Sequence, residues 1–165
     1  MKESSFQHIV HPFPPICNAE SRILILGTLP SVKSRENAFY YGHPRNRFWQ
    51  VLSRLFLESV PETDEQKTDF LLYHHIALWD VVQSCDIRCS SDSSIKNAVP
   101  TDLKQILRSA PIQRIYANGG KAAQLYQKYQ YPSTRREIIP LPSTSPANAS
   151  WSLERLTEAW SVILK

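Results

Sequence analysis

The chain is predicted to be α/β, a three-layer α/β/α domain with a central sheet of four parallel strands. Three observations predict it. Four short apolar runs, at 22–27, 76–82, 113–118 and 136–141, alternate with segments of helical periodicity. Strands separated by helices form right-handed β-α-β units, with helices on both faces of the sheet. The first run, Ile23-Leu24-Ile25-Leu26, has no polar interruption, as in a strand buried on both sides. A length of 165 residues suits one domain.

Residues 1–20 form a Pro-rich leader in which His11-Pro12-Phe13-Pro14-Pro15 is extended and packs on the body. After the first strand a loop of about 18 residues runs from Thr28 to Arg45, long enough to suggest function. Residues 47–56 then repeat with helical period, Phe48, Leu52 and Leu55 sharing a face. A capping box, Thr63-x-x-Gln66, starts a second helix that reaches about His75. The strand at 76–82 follows, then a polar, irregular stretch over 83–100. Thr101 is placed to cap a helix over Asp102–Ser109. Beyond the strand at 113–118, Gly119-Gly120 turns into a helix over 121–129. The strand at 136–141 leads into a loop at 142–148. A last helix over 151–164 puts Leu153, Leu156, Trp160 and Ile163 on one face.

Composition narrows the function. A hydrophobic fraction of 42% with 21% charged residues describes a folded globular chain. Its four glycines, Gly27, Gly42, Gly119 and Gly120, cannot be assembled into G-x-G-x-x-G or a P-loop, which excludes both phosphate cradles. No apolar run approaches the ~18 residues of a membrane-spanning helix, and the start lacks the apolar core of a secretory signal. A cytoplasmic protein is expected, nucleoid-associated in a bacterium. Cys17, Cys85 and Cys89 are too few for a disulfide framework. Cys85-x-x-x-Cys89 with His74 and His75 is a weak zinc pattern, and reduced thiols are the favoured reading. The net charge of +4 is compatible with a polyanionic partner.

In open parallel sheets ligands sit beyond the carboxyl ends of the strands. That selects the loops after Leu26, Val82, Ala117 and Leu141. Three of them carry unusual stretches: Gly27-Thr28-Leu29-Pro30-Ser31-Val32-Lys33-Ser34 with Phe39-Tyr40-Tyr41-Gly42-His43-Pro44-Arg45-Asn46-Arg47-Phe48-Trp49; Asn118-Gly119-Gly120-Lys121; and Leu141-Pro142-Ser143-Thr144-Ser145-Pro146-Ala147-Asn148. Aromatic, basic, amide and hydroxyl groups converge there without a carboxylate. Such a site suits a phosphate-bearing ligand with a base to stack.

These stretches, with Ser94-Ile95-Lys96-Asn97-Ala98-Val99-Pro100, resemble the uracil-DNA glycosylase superfamily, and within it the hypoxanthine-DNA glycosylase family. The resemblance spans about residues 8–163. It implies a uracil-DNA glycosylase-like fold and a monofunctional DNA glycosylase that flips out a deaminated base and hydrolyses its N-glycosidic bond. Hypoxanthine in deoxyinosine is the implied preference, with uracil second. The implied partner is DNA containing deaminated bases. No metal or organic cofactor, no membrane and a monomer are expected.

The resemblance also assigns residues. Asn46 and Asn118 are carried over as catalytic, Asn46 orienting water by accepting its hydrogen bond and Asn118 pairing with the O6 and N1–H edge of hypoxanthine. Gly27, Thr28, Leu29, Tyr41 and His43 are carried over as base-binding, Tyr41 stacking on the extruded ring. DNA-strand contacts fall on Ser31, Lys33, Ser94, Lys96, Asn97, Lys121, Ser143, Thr144 and Ser145, with Arg45 and Arg47 near phosphates. Two departures stand out: Leu29 occupies a position where the superfamily usually has Asp or Asn, and the last loop has neither a His nor a bulky wedge. Plainer readings compete. Asn directly before a helix is a preferred cap, and Asn before Gly-Gly suits a left-handed turn. A non-catalytic nucleic-acid- or nucleotide-binding domain of the same fold and a small-molecule thiol hydrolase using Cys85 or Cys89 are the rival functions.

Overall fold

The computed structural model describes residues 5–37, 39–88 and 92–165. The strands in chain order are β1 (Gln7–Val10), β2 (Ile23–Gly27), β3 (Ile76–Asp80), β4 (Val82–Ile87), β5 (Lys96–Pro100), β6 (Arg114–Asn118) and β7 (Ile138–Leu141). The helices are α1 (Val32–Asn37), α2 (Phe48–Phe56), α3 (Asp64–Tyr73), α4 (Lys104–Ser109), α5 (Gly120–Tyr129), α6 (Tyr131–Thr134) and α7 (Leu153–Trp160).

The four apolar runs make one parallel sheet, as expected, and its strand order is β3-β2-β6-β7. Every residue of β2 and β3 is buried, so both faces of the sheet are covered. Pro140, which cannot donate to a ladder, sits in the edge strand β7. The register pairs Gly27 with Asp80 and Asn118 with Leu141, which brings these strand ends to one edge of the sheet.

Helix α2 buries Phe48, Trp49, Val51 and Leu52 and stops at Leu57 in the left-handed conformation, φ 55°. The capping box of α3 forms: Thr63 Oγ1 accepts the Gln66 N–H at 3.0 Å while Gln66 Oε1 accepts the Thr63 N–H at 3.4 Å. Ser152 caps α7 through the Arg155 N–H, and a 3₁₀ turn over Ser161–Leu164 continues it. Leu156, Trp160 and Ile163 are buried along this stretch.

Three segments differ from expectation. The stretch 83–100 supplies β4 and β5, which join β1 in a second, antiparallel sheet of order β1-β4-β5. Register shifts in the β4–β5 pairing break the apolar alternation that would have announced these strands. The leader therefore carries a strand, its Gln7 opposite Ile87 and Val10 opposite Ser84. The long first loop contains α1, whose start Ser31 caps by accepting the Ser34 N–H. Thr101 does not cap α4. It is buried, with its hydroxyl donated to the Asp80 carbonyl at 2.7 Å, and Asp102 Oδ1 takes the Lys104 N–H instead.

Candidate active site

The ends of β2, β3 and β6 open onto a cavity of about 330 Å³, walled also by the first loop and by residues 143–145 and 147. This volume lies at the small end of the ~300–1,000 Å³ typical of ligand sites.

Its organising feature is a chain of side-chain hydrogen bonds. Asn118, the last residue of β6, is buried, and its Oδ1 accepts the Thr144 N–H at 3.0 Å. A backbone N–H can only donate, so this contact fixes which end of the carboxamide is oxygen. Asn118 Nδ2 then donates to Thr144 Oγ1 at 3.0 Å, and Thr144 Oγ1 donates to Asn46 Oδ1 at 2.8 Å. Asn46 Oδ1 also accepts the Phe48 N–H at 2.9 Å, steering the chain into α2. Both lone pairs of that oxygen are thus engaged. The expectation that it accepts a hydrogen bond from water does not fit this geometry; the donors on Asn46 Nδ2 are what it has left to offer.

Tyr41, held at φ 52°, stacks on Phe48 with ring centroids 4.1 Å apart at 23° and lines the cavity. Its hydroxyl is buried and makes no hydrogen bond of normal geometry. Burial drives its pKa far up, the Asp80 carboxylate adds to the shift, and the Asn118 amide works against it. Tyr41 is accordingly neutral. Gly27 is required by close approach: a Cβ there would lie 2.4 Å from Asp80 Oδ1 and 2.9 Å from the Tyr41 oxygen. Thr28, Leu29 and Ser31 complete this wall.

Ser143, Thr144 and Ser145 line the opposite side, and a web of bonds shapes their loop. Ser143 Oγ accepts the Ser145 N–H, Ser145 Oγ accepts the Ala147 N–H, and Asn148 Nδ2 donates to the Ser143 carbonyl. Arg47, expected near phosphates, instead donates its guanidinium to the carbonyls of Ser145, Asn148 and Trp151. Its backbone N–H donates to the Thr144 carbonyl at 3.1 Å. Gly119, at φ 99°, faces the same loop, where a Cβ would meet Ser143 Cβ at 3.2 Å.

Other expected residues lie outside the wall. His43 Nδ1 accepts the Arg45 N–H at 3.0 Å in a turn. Lys121 is on the first turn of α5. Ser94, Lys96 and Asn97 belong to the second sheet and its connection: Ser94 Oγ accepts the Arg88 N–H, Lys96 lies over the Phe6 ring, and Asn97 Nδ2 donates to Asp86 Oδ2. That amide, with His8, holds the Asp86 carboxyl below its ordinary range. The Lys33 side chain and Cys89 lie outside the described residues. Cys85 is buried and Cys17 half-buried, the Cys17 thiol pushed up by burial; neither lines the cavity, so of the two thiols of the rival hydrolase Cys85 stands away from this site.

Sequence reasoning missed Asp80, which lines the cavity at the end of β3, and its partner His11. A signal existed: a carboxylate ending a fully buried five-residue strand must have a partner.

Comparison with known proteins follows the same lines. The family described as the uracil DNA glycosylase superfamily matches residues 14–164. A protein of Methanosarcina acetivorans named hypoxanthine DNA glycosylase is 32% identical over 157 residues, covering 93% of this chain and 96% of its own. A protein of the same name from Methanosarcina barkeri is 31% identical over the same coverage. A solution NMR structure of a Methanosarcina acetivorans protein, described as a candidate uracil DNA glycosylase, aligns with TM-score 0.79 at 32% identity. That alignment covers 94% of this chain and 96% of the other.

Proposed function

The chain belongs to the uracil DNA glycosylase superfamily, and from that premise we propose that it is a monofunctional DNA glycosylase releasing hypoxanthine from deoxyinosine, with uracil as a second substrate. The observation that carries this reading is the Asn118–Thr144–Asn46 chain beside the Tyr41–Phe48 stack, at the carboxyl ends of a parallel sheet. The names of the Methanosarcina relatives support hypoxanthine as the base.

A base inside a duplex is out of reach and must be everted, at a cost of a few kcal/mol. The Tyr41 ring, rigid on Phe48, offers it a stacking face. N-glycosidic cleavage passes through an oxocarbenium-like state in which the base departs with developing negative charge. Asn46, with its oxygen engaged by Thr144 and Phe48, turns donors toward that charge. A preorganised donor of this kind stabilises a transition state at no reorganisation cost. Water then attacks the sugar, leaving an abasic site. No lysine is assigned a covalent role, so strand cleavage is not part of the reaction. The hydroxyls of Ser143 and Ser145 are the proposed contacts to the DNA backbone.

The test uses end-labelled duplexes containing deoxyinosine or deoxyuridine, incubated with the protein and then treated with alkali. Breaks at deoxyinosine that vanish in Asn46→Ala are expected. Binding without alkali-revealed breaks overturns the enzymatic reading in favour of a non-catalytic DNA-binding domain, the alternative that Leu29 at the first loop favours.

A further inference from the structure

The leader reaches the acidic wall of the cavity through a hydrogen-bonded pair. Asp80 is the one acidic residue among the described lining of the cavity, and it is 3% exposed. A charge that deep needs a partner. The partner is His11: Nε2 lies 2.7 Å from Asp80 Oδ2, the two side chains being 1% and 5% exposed. His11 Nδ1 accepts the Phe13 N–H at 3.5 Å, which leaves the ring proton on Nε2, donating to the carboxylate. The His11 backbone N–H is tied to the Gln83 carbonyl at 2.7 Å, so the ring is held by β4 as well as by its neighbours.

Asp80 Oδ2 is therefore occupied. Oδ1 accepts no hydrogen bond from the described residues and lies against Gly27 at the cavity wall. A carboxylate oxygen can only accept, so this wall wants a ligand N–H. Deamination creates one. Adenine presents a lone pair at N1 where hypoxanthine carries a proton, and cytosine presents one at N3 where uracil carries a proton.

Resting on the glycosylase reading above, we infer that Asp80 Oδ1, rather than Asn118, whose Oδ1 already accepts the Thr144 N–H, accepts the ring N–H that deamination creates, and that His11 is the positioning residue that aims it. Normal adenine and cytosine would meet this oxygen with a lone pair, acceptor against acceptor, which is rejection as well as recognition. Guanine and thymine carry the same ring proton and are not excluded by this contact. The leader thereby becomes part of the specificity apparatus.

The experiment compares single-turnover release from deoxyinosine and from deoxynebularine, a purine nucleoside whose N1 carries no proton. In Asp80→Asn, the His11 N–H still claims the side-chain oxygen, so the amide N–H₂ turns toward the cavity. The inosine-to-nebularine rate ratio is expected to fall at least about tenfold, the scale of one hydrogen bond to a charged group. His11→Ala should lower the same ratio, and His11→Gln, which keeps a donor, should restore part of it. This second pair keeps the test alive should Asp80→Asn not fold. Variants that slow both substrates in parallel, leaving the ratio unchanged, overturn the inference alone. A wild-type chain that releases neither hypoxanthine nor uracil overturns the glycosylase reading and this inference with it.

Discussion

Asn118 and Thr144 hold each other at both ends of one carboxamide: the Thr144 N–H donates to Asn118 Oδ1, and Asn118 Nδ2 donates to Thr144 Oγ1, each at 3.0 Å. The end of β6 and the loop after β7 are locked in a single relative position. The Thr144 hydroxyl passes the constraint on to Asn46 at the start of α2. Three loops distant in sequence thus set one another's geometry.

Thr144→Val, which keeps the shape and removes the hydroxyl, separates these functions. The backbone bond to Asn118 Oδ1 survives, while the Asn118 donor and the Asn46 acceptor each lose a partner. A destabilisation of about 1–3 kcal/mol is expected, the cost of leaving a buried polar group unsatisfied. Release of hypoxanthine should fall by about tenfold or more, since an unclamped Asn46 has lost its fixed direction. Urea denaturation and single-turnover assays read the two effects. A variant with normal activity would show that the chain of bonds is only structural.

Arg47→Lys tests the clamp on the last loop. The guanidinium serves the carbonyls of Ser145, Asn148 and Trp151 from one planar fork, a geometry that a single ammonium cannot reproduce. The expected outcome is faster amide hydrogen exchange across 143–151 and reduced excision, although Arg47 does not line the cavity. Unchanged exchange in this loop would show that the fork is dispensable.

Gly27→Ala should close the wall. The new methyl would come within 2.4 Å of Asp80 Oδ1 and 2.9 Å of the Tyr41 oxygen, so the carboxylate or the stacking ring must move. Overpacking of this kind costs about 1–3 kcal/mol. The variant is expected to fold with a lowered melting temperature and to lose hypoxanthine release. Retained activity would mean that Asp80 and Tyr41 can yield without harm.

The central sheet was legible because buried parallel strands write continuous apolar runs, and Ile23–Leu26 is such a run. The capping box at Thr63 was equally readable, since its two bonds are local. The second sheet was not. β5 is mostly exposed and β4 is irregularly paired, so neither has an alternation to detect. The amides of Asn46 and Asn118 were picked out by motif, but their connection through Thr144 depends on tertiary contacts between loops that no local spacing encodes. Arg47 shows the same limit from the other side. A guanidinium near a hydroxyl-rich loop reads as a phosphate contact until the loop is seen folded around it.

Tyr40 and Tyr41 predict how the protein fails in alkali. Burial raises both hydroxyls far above the ordinary tyrosine value of 10, with the Asp80 carboxylate adding to each shift. Tyr40 also donates to the Pro14 carbonyl at 2.8 Å, fastening the leader to the first loop. Below pH 10 folded and unfolded chains alike keep these protons, and the native contacts retain their full contribution. Above it the unfolded chain releases protons that the folded chain still holds, so stability falls as pH rises. The limiting slope is about 1.4 kcal/mol per pH unit for each such tyrosine. Titration of phenolate absorbance should therefore show fewer than the seven tyrosines of the chain ionising while it stays folded. The remainder should appear together with the loss of near-ultraviolet circular dichroism. Tyr40→Phe removes one of these groups, and its stability should decline less steeply above pH 10 than that of the wild type. An identical slope in the variant would mean that Tyr40 is free to ionise in place.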